Sequence, residues 1–382
     1  MGPPDCLSLP ADHTGAFQCE NYVKECGFYA DIGPIALQRN HLGAGDIAVV
    51  NARAVGIPTG PVLPNPFVPP PAGIMPALGF NSVTPPLSLG IIGKLGYLWD
   101  NQAIELESFY IWENDVSKAV NMPFALDTLF YNPPLAFIGE GMFRYADSVA
   151  LRYGSSLFNG EANYRRWNSA FFNGVDLIIG ARYMRENDIL GITSSGTALF
   201  DNANALGLHS PGQNAINYMV IAHNNIMAPQ VGLEWNLPIF KWLTLCLLGK
   251  GAWGANYLTT DVNLTRNDGL TAFNTTRHAW TFAEVYQLGA FADINLLEKL
   301  RLRLGYTAFW LTGVAAAVDQ VDFNLRGTES RNSIGVQGVA NALQSGNLRS
   351  VFAAEGGYPH GNTNNNGSMI FFGPQIQLQF FF

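Results

Sequence analysis

The sequence predicts an all-β fold, a single antiparallel up-and-down transmembrane β-barrel of about ten strands, with short turns at one end and long loops at the other. Three observations predict it. Apolar and polar residues alternate with a period of two over ten segments, the signature of a strand with two unlike faces. Short and long connections follow one another in strict turn, as they do in a barrel threaded through a membrane. Aromatic residues collect near both ends of the segments, where amphipathic rings favour the headgroup boundary.

Composition agrees. Of 382 residues only 13% are Asp, Glu, Lys or Arg, while 12% are aromatic and 40 are glycine. That is about half the charge of an ordinary soluble domain. The net charge of -8 leaves no basic stripe to neutralise phosphates, which speaks against a nucleic-acid partner. No apolar run reaches the roughly eighteen residues that a spanning helix needs; WLTLCLLGKGAWGANY is interrupted at Lys250. The first residues, MGPPDCLSLPADHTGAFQCENYVKEC, have neither a basic nor a continuous apolar region. They do not read as a secretory signal.

The ten segments lie near 27–38, 87–100, 102–114, 156–168, 174–187, 227–237, 243–257, 283–295, 300–313 and 368–382. Each is long enough for a tilted spanning strand of roughly 9–11 residues. In the second, Leu87, Leu89, Ile91, Leu95, Tyr97 and Trp99 share one face, opposite Ser88, Gly90, Lys94 and Gly96. Met227 to Leu237 repeats this, as does the last segment, where Ile370, Phe372, Ile376, Leu378, Phe380 and Phe382 oppose Gln375, Gln377 and Gln379. Short turns fall at Asp100-Asn101, Asn168 to Asn173, Leu237 to Trp242 and Asn295 to Lys299. Outer loops are expected near 41–86, 115–155, 188–226, 258–282 and 314–367, after an N-terminal periplasmic arm or plug over 1–26; the barrel itself occupies 27–382.

Tracing the strands up and down sorts the rings into two girdles. Tyr97, Trp99 and Trp235 belong to the lower one, and Tyr110, Trp112, Tyr183, Trp253 and Trp310 to the upper. The opposite faces supply a polar lining of Glu105, Glu107, Glu161, Arg165, Asp176, Arg182, Glu186, Glu234, Lys250, Asp293, Arg301 and Arg303. Arg166 and Arg185 fall on the lipid side near strand ends, where long side chains snorkel to the interface.

No motif carries catalysis. His41, His209, His223, His278 and His360 map to long loops or the outer rim with no acid or nucleophile at an interpretable spacing, and HExxH, the zinc-helix pattern, is absent. The sequence therefore predicts no enzyme, no metal and no cofactor. LGAGDIAVVNARAVG lacks the third glycine of a dinucleotide site and reads as a loop with a short hairpin. The four cysteines, Cys6, Cys19, Cys26 and Cys246, allow three full pairings. Cys246 points into the lumen near the turn end, so one cysteine of the arm could bridge to it and hold the arm as a plug; free or locally paired thiols are the alternative.

The stretches GFYADIGPIALQRN, LSLGIIGKLGYLWDNQAIELESFYIWE, LRYGSSLFNGEANYRR, GVDLIIGARYMREND, APQVGLEWNLPIFKWLTLCLLGKGAWGANY, AEVYQLGAFADINLLEKLRLRLGYTAFWLTGV and GPQIQLQFFF resemble a β-barrel porin family of planctomycetes, the seventh so named. The resemblance covers the strands and little of the loops. It implies a bacterial outer-membrane barrel with outer-membrane lipids around it and a transport role. The final Ile376, Leu378, Phe380 and Phe382 are similar to the terminal signal that bacterial barrels present to the barrel-assembly machinery. Two functions stay open. One is a porin-like channel for small solutes with a narrow or partly plugged lumen, since ten strands lie close to the size at which side chains fill a barrel. The other is an occluded structural or adhesive barrel whose outer loops contact neighbouring subunits of a homo-oligomer or a surface layer.

Overall fold

The computed structural model describes residues 27–50, 75–130, 143–167, 174–196, 215–267, 269, 271–323, 325 and 366–382. Twelve strands run in chain order: β1 Gly27–Arg39, β2 Asp46–Val50, β3 Pro76–Gly79, β4 Leu87–Trp99, β5 Gln102–Thr128, β6 Ala146–Arg166, β7 Val175–Ser195, β8 Ala215–Phe240, β9 Leu243–Arg266, β10 Thr271–Leu297, β11 Leu300–Val314 and β12 Gly367–Phe381. Ten of them close into an antiparallel ring, β1-β4-β5-β6-β7-β8-β9-β10-β11-β12, with β12 returning to β1. Closure pairs every strand on both sides, which is what a lipid-facing backbone requires. Among the described residues no helix is long and apolar enough to cross a membrane.

The seam between β1 and β12 is the most sparsely paired. Its register runs Ile32↔Leu378, Ile35↔Gln375 and Gln38↔Phe372, skipping Gly33 and Pro34. Proline offers no ladder donor. The backbones approach so closely there that a Cβ on Gly33 would lie 1.8 Å from the Ile376 carbonyl oxygen.

All ten segments read from the sequence are ring strands, but six of them are far taller than expected. β5 to β10 contain 27, 21, 21, 26, 24 and 27 residues. The 26 residues of β8, at ~3.3 Å each and a tilt of about 40°, climb roughly 65 Å, about twice the ~30 Å of a hydrocarbon core. Much of the ranges expected as outer loops is therefore strand, and the short β3 pairs with β2, which in turn pairs with the top of β5. Residues 1–26, the expected arm, lie outside the described residues.

The reason these extensions escape a search for greasy outer faces is visible in β9. Near its turn, Leu245, Leu247 and Trp253 face outward while Cys246, Lys250 and Ala252 are buried. Higher up, Leu258, Val262 and Leu264 are buried and Asp261, Asn263 and Thr265 take the outer face. The period of two continues and its polarity inverts. Buried Leu126, Val149, Leu151, Ile192, Tyr218, Val220 and Leu264 form one apolar core inside this tall wall. A second apolar layer, with Ile92, Phe109, Leu157, Met184, Ile226, Val285, Phe309 and Phe371, lies inside the barrel proper.

Candidate functional site

Below that second layer the lumen is crossed by ion pairs. Glu161 on β6 is held by Arg182 on β7 at 2.6 Å and by Lys250 on β9 at 2.8 Å. Gln230, Asn159 and Asn163 also donate amide hydrogens to its carboxylate at 2.9–3.0 Å. On the other side Lys94 pairs with Glu107 at 3.0 Å. Arg165 reaches Glu105 at 2.9 Å, Asp176 at 3.3 Å, and Glu234. Arg303 on β11 then spans the interior to Glu234 on β8 at 2.9 Å while holding its neighbour Asp293 at 2.7 Å. A small polar cavity remains between Lys94, Glu107, Arg165, Glu234, Lys250 and Arg303. Buried charges of this kind are stable only when paired and hydrogen-bonded, and here each acid meets a base from another strand.

Most residues expected in the lining belong to this network. Glu105, Glu107, Glu161, Arg165, Asp176, Arg182, Glu234, Lys250 and Asp293 are buried in it, and Arg303 is partly buried. Arg301 sits at its lower edge, a quarter exposed, 3.5 Å from Asp293. Glu186 stands apart: it is fully buried higher up, where Asn224 donates to it at 2.8 Å. Near it, Arg39 of β1 reaches across the ring to Asp188 of β7 at 2.5 Å and also donates to the Tyr153 hydroxyl. Arg39 and Asp188 are absent from the lining expected from the sequence because each lies one residue beyond the strand end assigned there; continuing the alternation would have found both.

The expected girdles lie on the outer face. Tyr97, Tyr110, Trp112, Trp235, Trp253 and Trp310 are exposed there, with Trp99 and Tyr183 partly covered by neighbours. Ile376, Leu378, Phe380 and Phe382 are exposed on the same side of the last strand and its end. Cys246 is a free, buried thiol whose Sγ lies 3.5 Å from Asp293. The possible bridge from the arm would involve Cys6, Cys19 or Cys26, which lie outside the described residues; Cys246 itself sits beside Asp293 and Arg303. His223 and His278, expected in loops or at the rim, stand on the outer faces of β8 and β10. His223 meets Asn187 at 2.7 Å, and His278 stacks on Tyr257 at 5.8 Å. Among the described residues no group of three or more His, Cys, Asp or Glu could hold a metal ion.

A closed ring with an apolar outer belt and a charged interior defines a bacterial outer-membrane β-barrel. The chain belongs to the family described as Putative beta barrel porin-7, whose model matches residues 145–344. No curated protein matches it. Among solved structures it is similar to the outer membrane protease OmpT from Escherichia coli, at 10% identity and a TM-score of 0.40, over 93% of this chain and 97% of that one. It is also similar to a deletion mutant of the monoaromatic hydrocarbon channel TodX, at 8% identity and a TM-score of 0.30, over 75% of this chain and 64% of that one. The P. putida toluene transporter TodX matches at 9% identity and a TM-score of 0.19, over 93% and 90%. The exclusion of an enzyme drawn from the sequence is corrected here: a protease stands among the matched barrels, so the absence of a sequence motif does not rule out catalysis. At these scores no neighbour's activity passes to this chain.

Proposed function

We propose that this porin-family barrel is shut at rest, and that its tall six-strand wall works as a rigid mount on the cell surface. One observation carries the reading. At successive levels, Glu161 and Lys250, then Phe109 and Phe309, then Tyr218 and Leu264 reach into the interior, and each of these six is 5% exposed or less. Residues lining an aqueous pore would be wet. This favours the occluded alternative over a standing porin-like channel for small solutes. The outer belt suits outer-membrane lipids, and the last strand suits the assembly machinery. The hydrophilic outer face of the upper wall suits a surface-layer neighbour or a second copy.

Planar-bilayer recording tests the closed lumen. Protein shown to be folded by a heat-dependent shift in gel mobility is expected to insert without conductance. Stable single-channel steps from the unaltered chain would overturn it. A second reading, a channel that opens on demand, is favoured by a different observation: part of the filling is backbone that has folded in from the end of β11.

A further inference from the structure

At the top of β11 the chain leaves the wall. Gly313 has φ +69, and a Cβ there would lie 2.1 Å from the Phe282 carbonyl oxygen, so the turn depends on the conformational freedom of glycine. From there the chain runs inward. Val314, Ala315, Ala316 and Ala317 are buried at 0–3% exposure, and a single 3₁₀ turn spans Ala317–Gln320. Three alanines in a row give this strap a narrow profile. The wall beside it is also small, with Ala228, Ala252 and Ala283 all buried in the same apolar layer.

The strap is gripped from strands two, three and four places round the ring. The Asn224 side chain on β8 accepts from the Ala315 N–H at 2.8 Å and donates to the Ala315 carbonyl at 2.9 Å, as a neighbouring strand would. Asp188 on β7 accepts from the Ala317 N–H at 2.8 Å. Asn256 on β9 donates to the Gly313 carbonyl at 3.1 Å, and the Tyr218 hydroxyl accepts from the Asp322 N–H at 3.2 Å. At the far end Phe323 packs on Phe130 with ring centroids 5.2 Å apart. These contacts are made by side chains that do not take part in the ring's backbone ladder. Val314 still pairs with Gly367 of β12; from Ala315 onward the strap can therefore leave without unpairing a strand.

We infer that residues 315–323 are a releasable internal strap that seals the lumen above the ion-pair layer, and that its displacement opens a passage for small polar solutes. The inference rests on the closed-lumen reading. Below the strap the filling is mostly side chain, and Lys94, Lys250, Arg165 and Arg303 are long enough to swing aside once the backbone above them has gone.

Two variants test it. Asn224→Ala removes both bonds to Ala315. Ala317→Pro removes only the donor to Asp188: the preceding Ala316 is already extended at ψ 139, as a residue before proline must be, and the first turn of a helix tolerates proline. In planar bilayers bathed in potassium chloride, each variant is expected to show stepwise conductance where the parent is silent. The open fraction should rise roughly tenfold for each bond lost, which is the factor equivalent to about 1.4 kcal/mol. Asn224→Ala should therefore exceed Ala317→Pro. If both variants shift on heating as folded barrels do and stay as silent as the parent, the strap is not the seal, although the closed lumen stands. Steady conductance by the unaltered chain would overturn the closed lumen and the strap together.

Discussion

The lower and upper halves of the same strands are built on opposite principles. Near the turns, Leu233 and Trp235 of β8 point outward and Glu234 and Gln230 inward; towards the top, Asn217 and His223 take the outer face and Tyr218 and Val220 the inner. The backbone does not change between them, only the medium outside. Where the barrel meets lipid, hydrocarbon accepts the apolar side chains and leaves the polar ones to satisfy each other within. Above that level water surrounds the wall, and the apolar residues retreat into a core as in any soluble protein. One half is held by charge pairing and the other by burial of apolar surface, so different changes should damage each.

The largest effect is expected from Glu161→Ala, which strips Arg182 and Lys250 of their shared carboxylate. Removing one partner of a buried pair typically costs about 3–5 kcal/mol. The urea midpoint of the barrel in lipid vesicles should fall accordingly, and an unchanged midpoint would mean that the ion-pair layer does not hold the lower half. A matched pair of arginines sharpens the contrast further. Val231→Arg, on the outer face of the lower section, should cost about 2–4 kcal/mol if it lies near the bilayer midplane. Asn263→Arg, on the outer face of the upper section, should stay within about 0.5 kcal/mol of the parent. Equal losses at both positions would erase the proposed boundary between lipid and water.

The smallest effect concerns pH. His223 is half-buried above the belt, and its pKa is lowered by burial and then by the nearby Arg185, with Asp261 acting in the other direction. The folded state thus prefers neutral imidazole. Its contribution is fully present above the unfolded value of about 6.5 and is lost as pH falls through the depressed folded value. Hydrogen exchange at amides in the upper parts of β7 and β8 should quicken on acidification, and His223→Gln should remove that dependence. Acceleration confined to the lower half would contradict it.

Legibility in the sequence divides along the same line. Leu87 to Trp99 and Met227 to Leu237 place most of their large apolar residues on one face, which the structure leaves largely exposed, while Ile92, Leu98 and Ala228 are buried on the other. In the extensions the contrast is weaker. Ile221 and Met219 share the outer face with Asn217 and His223, and Thr260 shares the inner face with Val262. A pattern that reverses midway cancels itself in any search that assumes one polarity. The lumen partners were only half legible. Alternation shows that Glu161 and Lys250 point inward, but which acid meets which base depends on the register of non-adjacent strands, as with Arg303 and Glu234. The strap left no periodic trace. Its three alanines resemble an ordinary loop until Asn224 and Asp188 are seen beneath them.

The sparsely laddered meeting of β1 and β12 carries a further implication for biogenesis. The two strands that complete the circle are the first and last of the twelve, so nothing can be sealed until every intervening hairpin is in place. A chain halted partway would be a curled sheet with two raw margins, each a template for unwanted pairing. Joining such distant partners costs an entropy that grows only with the logarithm of the intervening length. The penalty for that architecture is consequently paid less in final stability than in the time spent unfinished.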